Sequence, residues 1–404
     1  MTADDQLEFR SPDARAAALA QALPQQVARA QALPGHRDRL DGVDPSAVVD
    51  ATALARLPVL RKSTLTAAQT REAPLGGFAA PLTGFAHVFQ SPGPIYEPGQ
   101  TTHDWWRLAR FLRACGIGSE DVVQNCFGYH LTPAGMIFEN GARAVGATVL
   151  PAGTGQTELQ AQAAHHLGVT AYAGTPDYLK TILEKADDMG LTLSISKAAV
   201  SGGALFPSLR ELYADRGIAC LQCYATADLG NVAYESPAME GLIVDEGVVV
   251  EIVTPGTGDP VPDGEVGEIL VTTLTPDYPL IRFATGDLSA VMEGISPCGR
   301  TNRRIKGWMG RADQTAKIKG MFVRPEQVAQ LVARHDEVAR ARVTVTRDGE
   351  ADAMEVSLET PRNDPAFYED SVRDVLKLRG TVRTVAPGSL PRDGKVIDDR
   401  RSYD

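Results

Sequence analysis

The chain is poor in cysteine and in positive charge, and it has no apolar run of transmembrane length. Its 5 cysteines in 404 residues form an odd, sparse set. Cys220 and Cys223 have no second pair to complete a zinc site of the usual spacing. They sit in an apolar, strand-like run, where a separation of three sends the two thiols to opposite faces, so core packing is their expected role. Against 51 acidic residues stand 40 basic ones, a formal net charge of -11. A general attraction to nucleic acid or anionic membrane is thereby excluded, and any phosphate binding must be local. The stretch Met1 to Gln6 lacks the basic start and apolar core of a signal peptide. A cytoplasmic enzyme with neither membrane nor nucleic-acid partner is the expectation.

What is present is enough apolar material, 43% of the residues, for one large core and one smaller core. Residues 1 to about 60 read as helical, with Ala14 to Ala22 and Val27 to Leu33 separated by Pro24 and Pro34. From Trp105 onward the pattern alternates. Helices are expected at Trp105 to Cys115, Thr132 to Val145, Pro176 to Met189 and Phe206 to Asp215. Strands are expected at Val122 to Phe127, Thr148 to Pro151, Thr170 to Ala173, Lys197 to Val200 and Ile218 to Tyr224. Repeated strand-helix units imply a mostly parallel sheet covered on both faces. Val248 to Val253 and Glu268 to Thr272 flank a Pro/Gly/Asp-rich turn and read as a β-hairpin or meander. After Gly310 come shorter signals: strands at Arg342 to Val345, Met354 to Leu358 and Thr381 to Val385, and a helix at Phe367 to Leu378. The fold class expected is α/β: a large N-terminal domain, 1-309, with mostly parallel sheets and a β-rich subdomain, then a small α+β domain, 310-404.

Three short pieces carry chemistry. The run Tyr278-Pro279-Leu280-Ile281-Arg282-Phe283-Ala284-Thr285-Gly286-Asp287 delivers a carboxylate to a strand end, where open α/β sheets bind ligands and where both hydroxyls of a ribose can be held. Alone, Thr-Gly-Asp is an ordinary turn. It is followed by Gly310-Arg311-Ala312-Asp313 and, near the end, by Gly388 to Lys395, which closes on Pro391-Arg392-Asp393-Gly394-Lys395. In this order the three pieces resemble the late motifs of the adenylate-forming acyl-CoA synthetases, most closely the phenylacetate-CoA ligase branch. The resemblance spans roughly Leu54 to Asp398.

That resemblance implies that a carboxylate attacks the α-phosphorus of ATP, giving an acyl-adenylate and pyrophosphate, and that the acyl group then passes to coenzyme A. It places Asp287 on the ribose and Lys395 on the α-phosphate, where the ammonium neutralises developing charge. Tyr224-Ala225-Thr226-Ala227-Asp228 is similar to the family's Tyr-Gly-x-Thr/Ser-Glu motif. By that likeness Tyr224 lies against the adenine and Asp228 holds Mg²⁺. Ala227 falls at the hydroxyl position, with Thr226 displaced by one. Helix N-capping is the alternative for Asp228. Gly202, Gly203 and Ala204, in a turn after a strand, would line the adenine with backbone. Arg311 would contact the nucleotide, and Asp313 would be the hinge about which the small, mobile lid domain rotates; a surface ion pair is the plain alternative. Leu54 to Leu65 is similar to a Leu-Pro-x-x-x-Lys segment. Tyr129 and His130 are candidates for the acyl pocket, His130 also fitting a core histidine.

The pattern breaks in the phosphate loop. Where the family has a Ser/Thr/Gly-rich loop ending in Gly-Lys-Pro, this chain reads Ser91-Pro92-Gly93-Pro94-Ile95-Tyr96-Glu97-Pro98. The prolines remove N–H donors, the lysine is gone, and Glu97 brings negative charge to the place expected for pyrophosphate. Ala284 and Gly286 replace residues that are often basic in relatives. Ser236 and Ile243 stand where the family's Cys/His metal site would be, so no structural zinc is expected. The function expected is an AMP-forming aryl- or acyl-CoA ligase using ATP, Mg²⁺ and coenzyme A on a small carboxylic acid, aromatic by the resemblance. Two alternatives stand beside it: an adenylyltransferase of the kind that modifies a deazaflavin cofactor, and a non-catalytic nucleotide- or acyl-binding protein. A homodimer is an open expectation.

Overall fold

The computed structural model describes residues 6–253, 258–312, 315–348, 351–391 and 396–401. The chain divides into two compact units. One comprises the residues up to Thr285 together with Ala290–Gly307; the other comprises Gly286–Ser289 and the chain from Trp308 onward.

The first unit is built on one sheet. Its strands, in chain order, begin with β1 (Leu60–Arg61), while β2 (His87–Ser91) and β3 (Ile95–Gly99) form a separate hairpin. There follow β4 (Val122–Asn125), β5 (Thr148–Pro151), β6 (Ala171–Gly174), β7 (Lys197–Val200), β8 (Ala219–Thr226), β9 (Gly230–Tyr234), β10 (Leu242–Val244), β11 (Val248–Val253), β12 (Val266–Thr273), β13 (Phe283–Met292) and β14 (Arg304–Ile305). The spatial order is β11-β12-β13-β14-β10-β9-β8-β7-β6-β4-β5, with β1 paired parallel to β13. The half from β5 to β8 is parallel, and the remaining path is largely antiparallel. The two halves join where β8 turns back into β9.

The period-2 pattern explains why the parallel half is covered on both sides. Ala171, Ala173, Ala199, Leu221 and Cys223 pack with the helices Ala109–Ala114 and Ala134–Ala144. Tyr172, Ala198, Val200 and Cys220 pack on the other side with the helices Pro176–Asp188 and Pro207–Asp215. Cys220 and Cys223 therefore do face opposite ways, and burial pushes both thiols up to about 12.

Two expected elements are corrected. The N-terminal pair of helices is one helix, Pro12–Gln31, with Pro24 inside it. Pro24 forfeits one backbone hydrogen bond, and burial of Leu23, Val27 and Ala30 against Val249 and Ile281 offsets the loss. The helix expected from Trp105 starts only at Ala109. Asp104 and Arg107 have φ of 48° and 64°. The Asp104 carboxylate accepts the Ala109 N–H at 2.9 Å, and the Arg107 guanidinium donates to the Leu229 carbonyl.

Arg282 governs the start of β13. Its backbone is left-handed, with φ 49°. The guanidinium donates through Nε to Glu251 at 3.1 Å, through Nη1 to the Leu57 carbonyl at 2.5 Å and through Nη2 to the Gly258 carbonyl at 2.7 Å. The Arg282 carbonyl in turn accepts the Leu60 N–H at 2.9 Å, which registers β1 against β13.

The second unit has its own core. β17 (Arg340–Asp348) and β18 (Ala351–Glu359) form a long hairpin, flanked in parallel by β20 (Ile397–Asp399) and β19 (Thr381–Val385). A two-stranded piece, β15 (Ala316–Ile318) and β16 (Met321–Val323), precedes them. Val343, Val345, Val356, Leu358, Tyr368 and Leu376 fill its centre.

Arg282→Ala leaves Glu251 buried without its partner and is expected to cost about 3–5 kcal/mol in urea unfolding, as for other broken buried pairs. A second measurement concerns His36, which is fully buried; burial, with the adjacent Arg39 charge, lowers its pKa from 6.5 to about 3. Between those pH values only the unfolded chain takes up this proton, so the stability contribution is present above about pH 6.5 and is lost on acidification. The urea midpoint is expected to fall between pH 7 and pH 5, and to fall less in His36→Asn.

Candidate functional site

The carboxyl ends of parallel strands leave backbone groups unpaired and open to a ligand. In the first unit, Gly174, Val200 and Gln222 are aligned across β6, β7 and β8, so the segments that follow them emerge at one edge. Ser201 fastens this edge: its N–H donates to the Gly174 carbonyl at 3.2 Å and its Oγ to the Cys223 carbonyl at 3.0 Å. Gly202, Gly203 and Ala204 follow with their backbone exposed, Gly202 at φ 71°.

Tyr224 is buried in the core beside Leu229 and Tyr278. A register shift in the ladder follows it, between Tyr224 and Ala225. Residues 227 to 229 form the turn into β9, so Asp228 caps no helix. The Thr226 hydroxyl accepts the Leu229 N–H at 3.2 Å, which closes that turn. The Asp228 carboxylate is buried. Its Oδ2 accepts from the Lys62 ammonium at 2.9 Å, while Oδ1 has no hydrogen-bond partner. Lys62 opens the helix Lys62–Ala68 immediately after β1, so the β1–β13 register places it.

The segment expected to hold phosphates is a tight hairpin. Ser91 pairs with Ile95, leaving only Pro92, Gly93 and Pro94 as the connection. The Tyr96 N–H donates to the Gln69 side chain at 2.8 Å, and the Tyr96 ring lies half exposed. Ser91 is buried. Glu97 presents no charge to solvent: it is 0% exposed, and neither carboxylate oxygen makes a hydrogen bond of normal geometry. Burial first, then the Asp228 charge, push its pKa up to about 8; Ser91 and Lys62 offset only part of this. The expectation of a negative charge facing pyrophosphate is therefore corrected, because most of these carboxyls are protonated at neutral pH.

Asp287 lies in the second unit. Its Oδ1 accepts from the Trp308 indole at 3.0 Å and from the Arg311 guanidinium at 3.2 Å. Gly286 makes this possible: its φ is 75°, and a Cβ there would lie 2.8 Å from an Arg311 guanidinium nitrogen. Glycine in place of a basic residue thus makes room for the arginine supplied from downstream. Asp313 and Lys395 lie outside the described residues.

The acyl-pocket candidates separate. Tyr129 is half buried, with its hydroxyl accepting from Asn125 at 2.8 Å, whereas His130 is exposed and is no core histidine. A cleft of about 240 Å³ nearby in the chain is lined by His87, Gln100, Trp106, Met136, Glu139 and Arg143, without either residue. A larger apolar cavity of about 440 Å³, lined by Cys115, Arg210, Cys220 and Met239, contains none of the residues above and offers no group for phosphoryl chemistry. Ser236 and Ile243 are buried. Near Ser236, burial alone would raise the Cys298 pKa, but hydrogen bonds with Ser236, Ser296 and Arg300 bring it down to about 7. Among the described residues no group of three or more His, Cys, Asp and Glu side chains is arranged to hold a metal.

Sequence reasoning misses Lys62 and Trp308. The Leu57-Pro58-x-x-x-Lys62 spacing is a signal for the lysine, but Trp308 has none, since a lone tryptophan beside glycine names no partner.

An AMP-binding enzyme family model matches residues 129–275. The chain is 31% identical over 356 residues to the phenylacetate-coenzyme A ligase of Thermus thermophilus, covering 83% of this chain and 79% of that one. It is 29% identical over 401 residues to the phenylacetate-coenzyme A ligase of Escherichia coli, covering 90% and 89%. In fold it matches an open conformation of 2-hydroxyisobutyryl-CoA ligase in complex with 2-HIB-AMP and CoA, with a TM-score of 0.83 at 22% identity, covering 98% of this chain and 95% of that one.

Because an adenosine ribose would compete with Trp308 and Arg311 for Asp287, AMP is expected to shift Trp308 fluorescence. The shift should vanish in Trp308→Phe, which leaves Trp105 and Trp106 as reporters, and in Asp287→Ala.

Proposed function

The chain belongs to the phenylacetate-coenzyme A ligase family, and from that premise we propose that it is an ATP-dependent, AMP-forming acid–CoA ligase. The observation that carries the reading is the edge formed after β6, β7 and β8, where Ser201 ties the exposed Gly202–Ala204 backbone to β8, and β8 runs on through the buried Tyr224 to the turn that holds the Asp228 carboxylate. Such an edge suits a nucleotide, because peptide groups and one aromatic face recognise a base while a carboxylate serves its counter-ion.

In the first half-reaction a carboxylate oxygen of the acid bonds to the α-phosphorus of ATP, and the bond from that phosphorus to the β-phosphate bridging oxygen breaks, releasing pyrophosphate. In the second, the coenzyme A sulfur, having lost its proton, attacks the acyl carbon and AMP departs. Little covalent work falls to the protein; it positions groups and stabilises charge. Gly202, Gly203 and Ala204 line the adenine, Tyr224 lies on its face, and Ala225 and Thr226 bound the α-phosphate. Asp287 takes the ribose hydroxyls, with Arg311 as its cationic neighbour. Lys395 neutralises charge between the attacking carboxylate and the α-phosphate, and Asp313 is the hinge position.

The residues fit a magnesium ion at Asp228, whose Oδ1 is buried and unpartnered. When bound, such an ion offsets phosphate charge. The substrate is a small carboxylic acid, of aromatic type by the named relatives, with Tyr129 beside it.

Pyrophosphate–ATP exchange across a panel of aryl and short-chain acids tests the reading. Exchange is expected only with the right acid, with thioester formed when coenzyme A is added. Lys395→Ala should lower exchange by about 10²-fold or more. AMP left covalently on an acceptor without thioester, or no exchange with any acid, would refute it.

A further inference from the structure

The cleft between the start of β2 and the helix Ala134–Ala144 is small, polar and lined by none of the residues assigned to the nucleotide. Its volume is about 240 Å³, room for roughly eight groups of a water's size at about 30 Å³ each. The helix lines it with Met136, Glu139, Asn140 and Arg143, whose spacing puts all four on one face. His87, the first residue of β2, and the buried Trp106 complete the wall.

Polar atoms of two lining residues go unmatched. Asn140 Nδ2 donates to the Thr102 carbonyl at 2.9 Å, which fixes the amide and leaves Oδ1 buried as an acceptor with no partner. The His87 ring stacks on Phe89 with centroids 5.7 Å apart, and its Nδ1 is likewise buried and unpartnered. Groups of this kind are costly unless a ligand or a water meets them. Gln100, also in the wall, is already engaged, its amide accepting the Ala86 N–H at 3.3 Å and donating to the Gly84 carbonyl at 2.7 Å.

Two opposite charges in the same cleft stay apart. Glu139 precedes Arg143 by four residues, the order that favours an ion pair on a helix. Lys180 and Glu184 have that spacing in the less favourable order and still close to 3.6 Å. Among the described residues neither Glu139 nor Arg143 enters an ion pair. Glu139 acts on the Tyr129 phenol, a neutral group that leaves the negative charge in place. A simple anion in the cleft would meet Glu139 and a simple cation would meet Arg143, each at a cost in like-charge repulsion. A ligand carrying both charges on neighbouring atoms satisfies the pair without closing it, and Met136 with Trp106 offers an apolar surface to the rest of the molecule.

We propose that this cleft binds a free α-amino acid with a small apolar side chain, its ammonium against Glu139 and Asn140 and its carboxylate against Arg143 and His87. The site is additional to the nucleotide edge and does not rest on the ligase reading.

The test is isothermal titration calorimetry of the full-length protein with L-leucine in the absence of nucleotide. Wild type is expected to bind one leucine per chain, and to bind leucinamide and N-acetylleucine, which each lack one of the two charges, about tenfold or more weakly. Glu139 is half-buried and Arg143 exposed, so Glu139→Gln and Arg143→Gln should melt as wild type does when free of ligand. Each is expected to weaken leucine binding by about tenfold or more. Absence of stoichiometric leucine binding, equal affinity for leucinamide or N-acetylleucine, or binding to both variants within about twofold of wild type overturns the inference. Pyrophosphate–ATP exchange that depends on leucine would seat the amino acid in the acid site and overturns it too. An enzyme that exchanges pyrophosphate with other acids but ignores leucine sinks this inference alone, whereas a protein that binds leucine through Glu139 and Arg143 yet never exchanges pyrophosphate sinks the ligase reading alone.

Discussion

The buried guanidinium of Arg282 orders the chemistry on both sides of it. A buried cation is tolerated only when its charge is paired and its donors are occupied, and Glu251 with the Leu57 and Gly258 carbonyls meets that demand. The same residue accepts the Leu60 N–H and so fixes β1 against β13. Lys62 begins its helix two residues after Leu60, and Asp287 lies five residues beyond Arg282 along β13. One arginine therefore sets the starting point for the lysine that meets Asp228 and for the carboxylate assigned to the ribose.

Much of the α/β core is legible in sequence because burial on both faces leaves little freedom. Lys197 to Val200 is an apolar run bounded by turns, and the strand keeps those bounds; Thr148 to Pro151 keeps its bounds as well, although at the edge of the sheet none of its residues is fully buried. Short helices are harder to place. The start at Ala109 depends on a carboxylate five residues earlier in sequence and on an arginine that reaches Leu229, neither of which a 3.6-residue period contains. Pro24 reads as a break because local backbone sterics say so, yet the apolar stripe around it binds the helix to the sheet.

The site is legible in parts for the same reason. Asp287 and Asp228 stand in motifs that name them. The environment of Glu97 cannot be read from its neighbours, since Pro94, Tyr96 and Pro98 say only that a hairpin forms. The burial of a carboxylate there, and the Asp228 charge that acts on it, come from chain remote in sequence, Asp228 arriving on a different strand pair. The hairpin exchanges the open, donor-rich loop of the resemblance for a closed one whose polarity is turned inward.

The chain passes between its two compact units at three places, after Thr285, after Ser289 and after Gly307, because a four-residue piece of β13 belongs with the C-terminal unit. A module hung on a single linker can be severed at one point, whereas this one is joined at three. A fragment beginning at Trp308 would leave behind Asp287, the acceptor for its own Trp308 and Arg311. A crossover upstream of Gly286 would carry the whole of Ala290–Gly307 into a foreign sheet. A cut that keeps the C-terminal unit whole must therefore fall upstream of Gly286, and it takes Ala290–Gly307 away from the sheet that holds it.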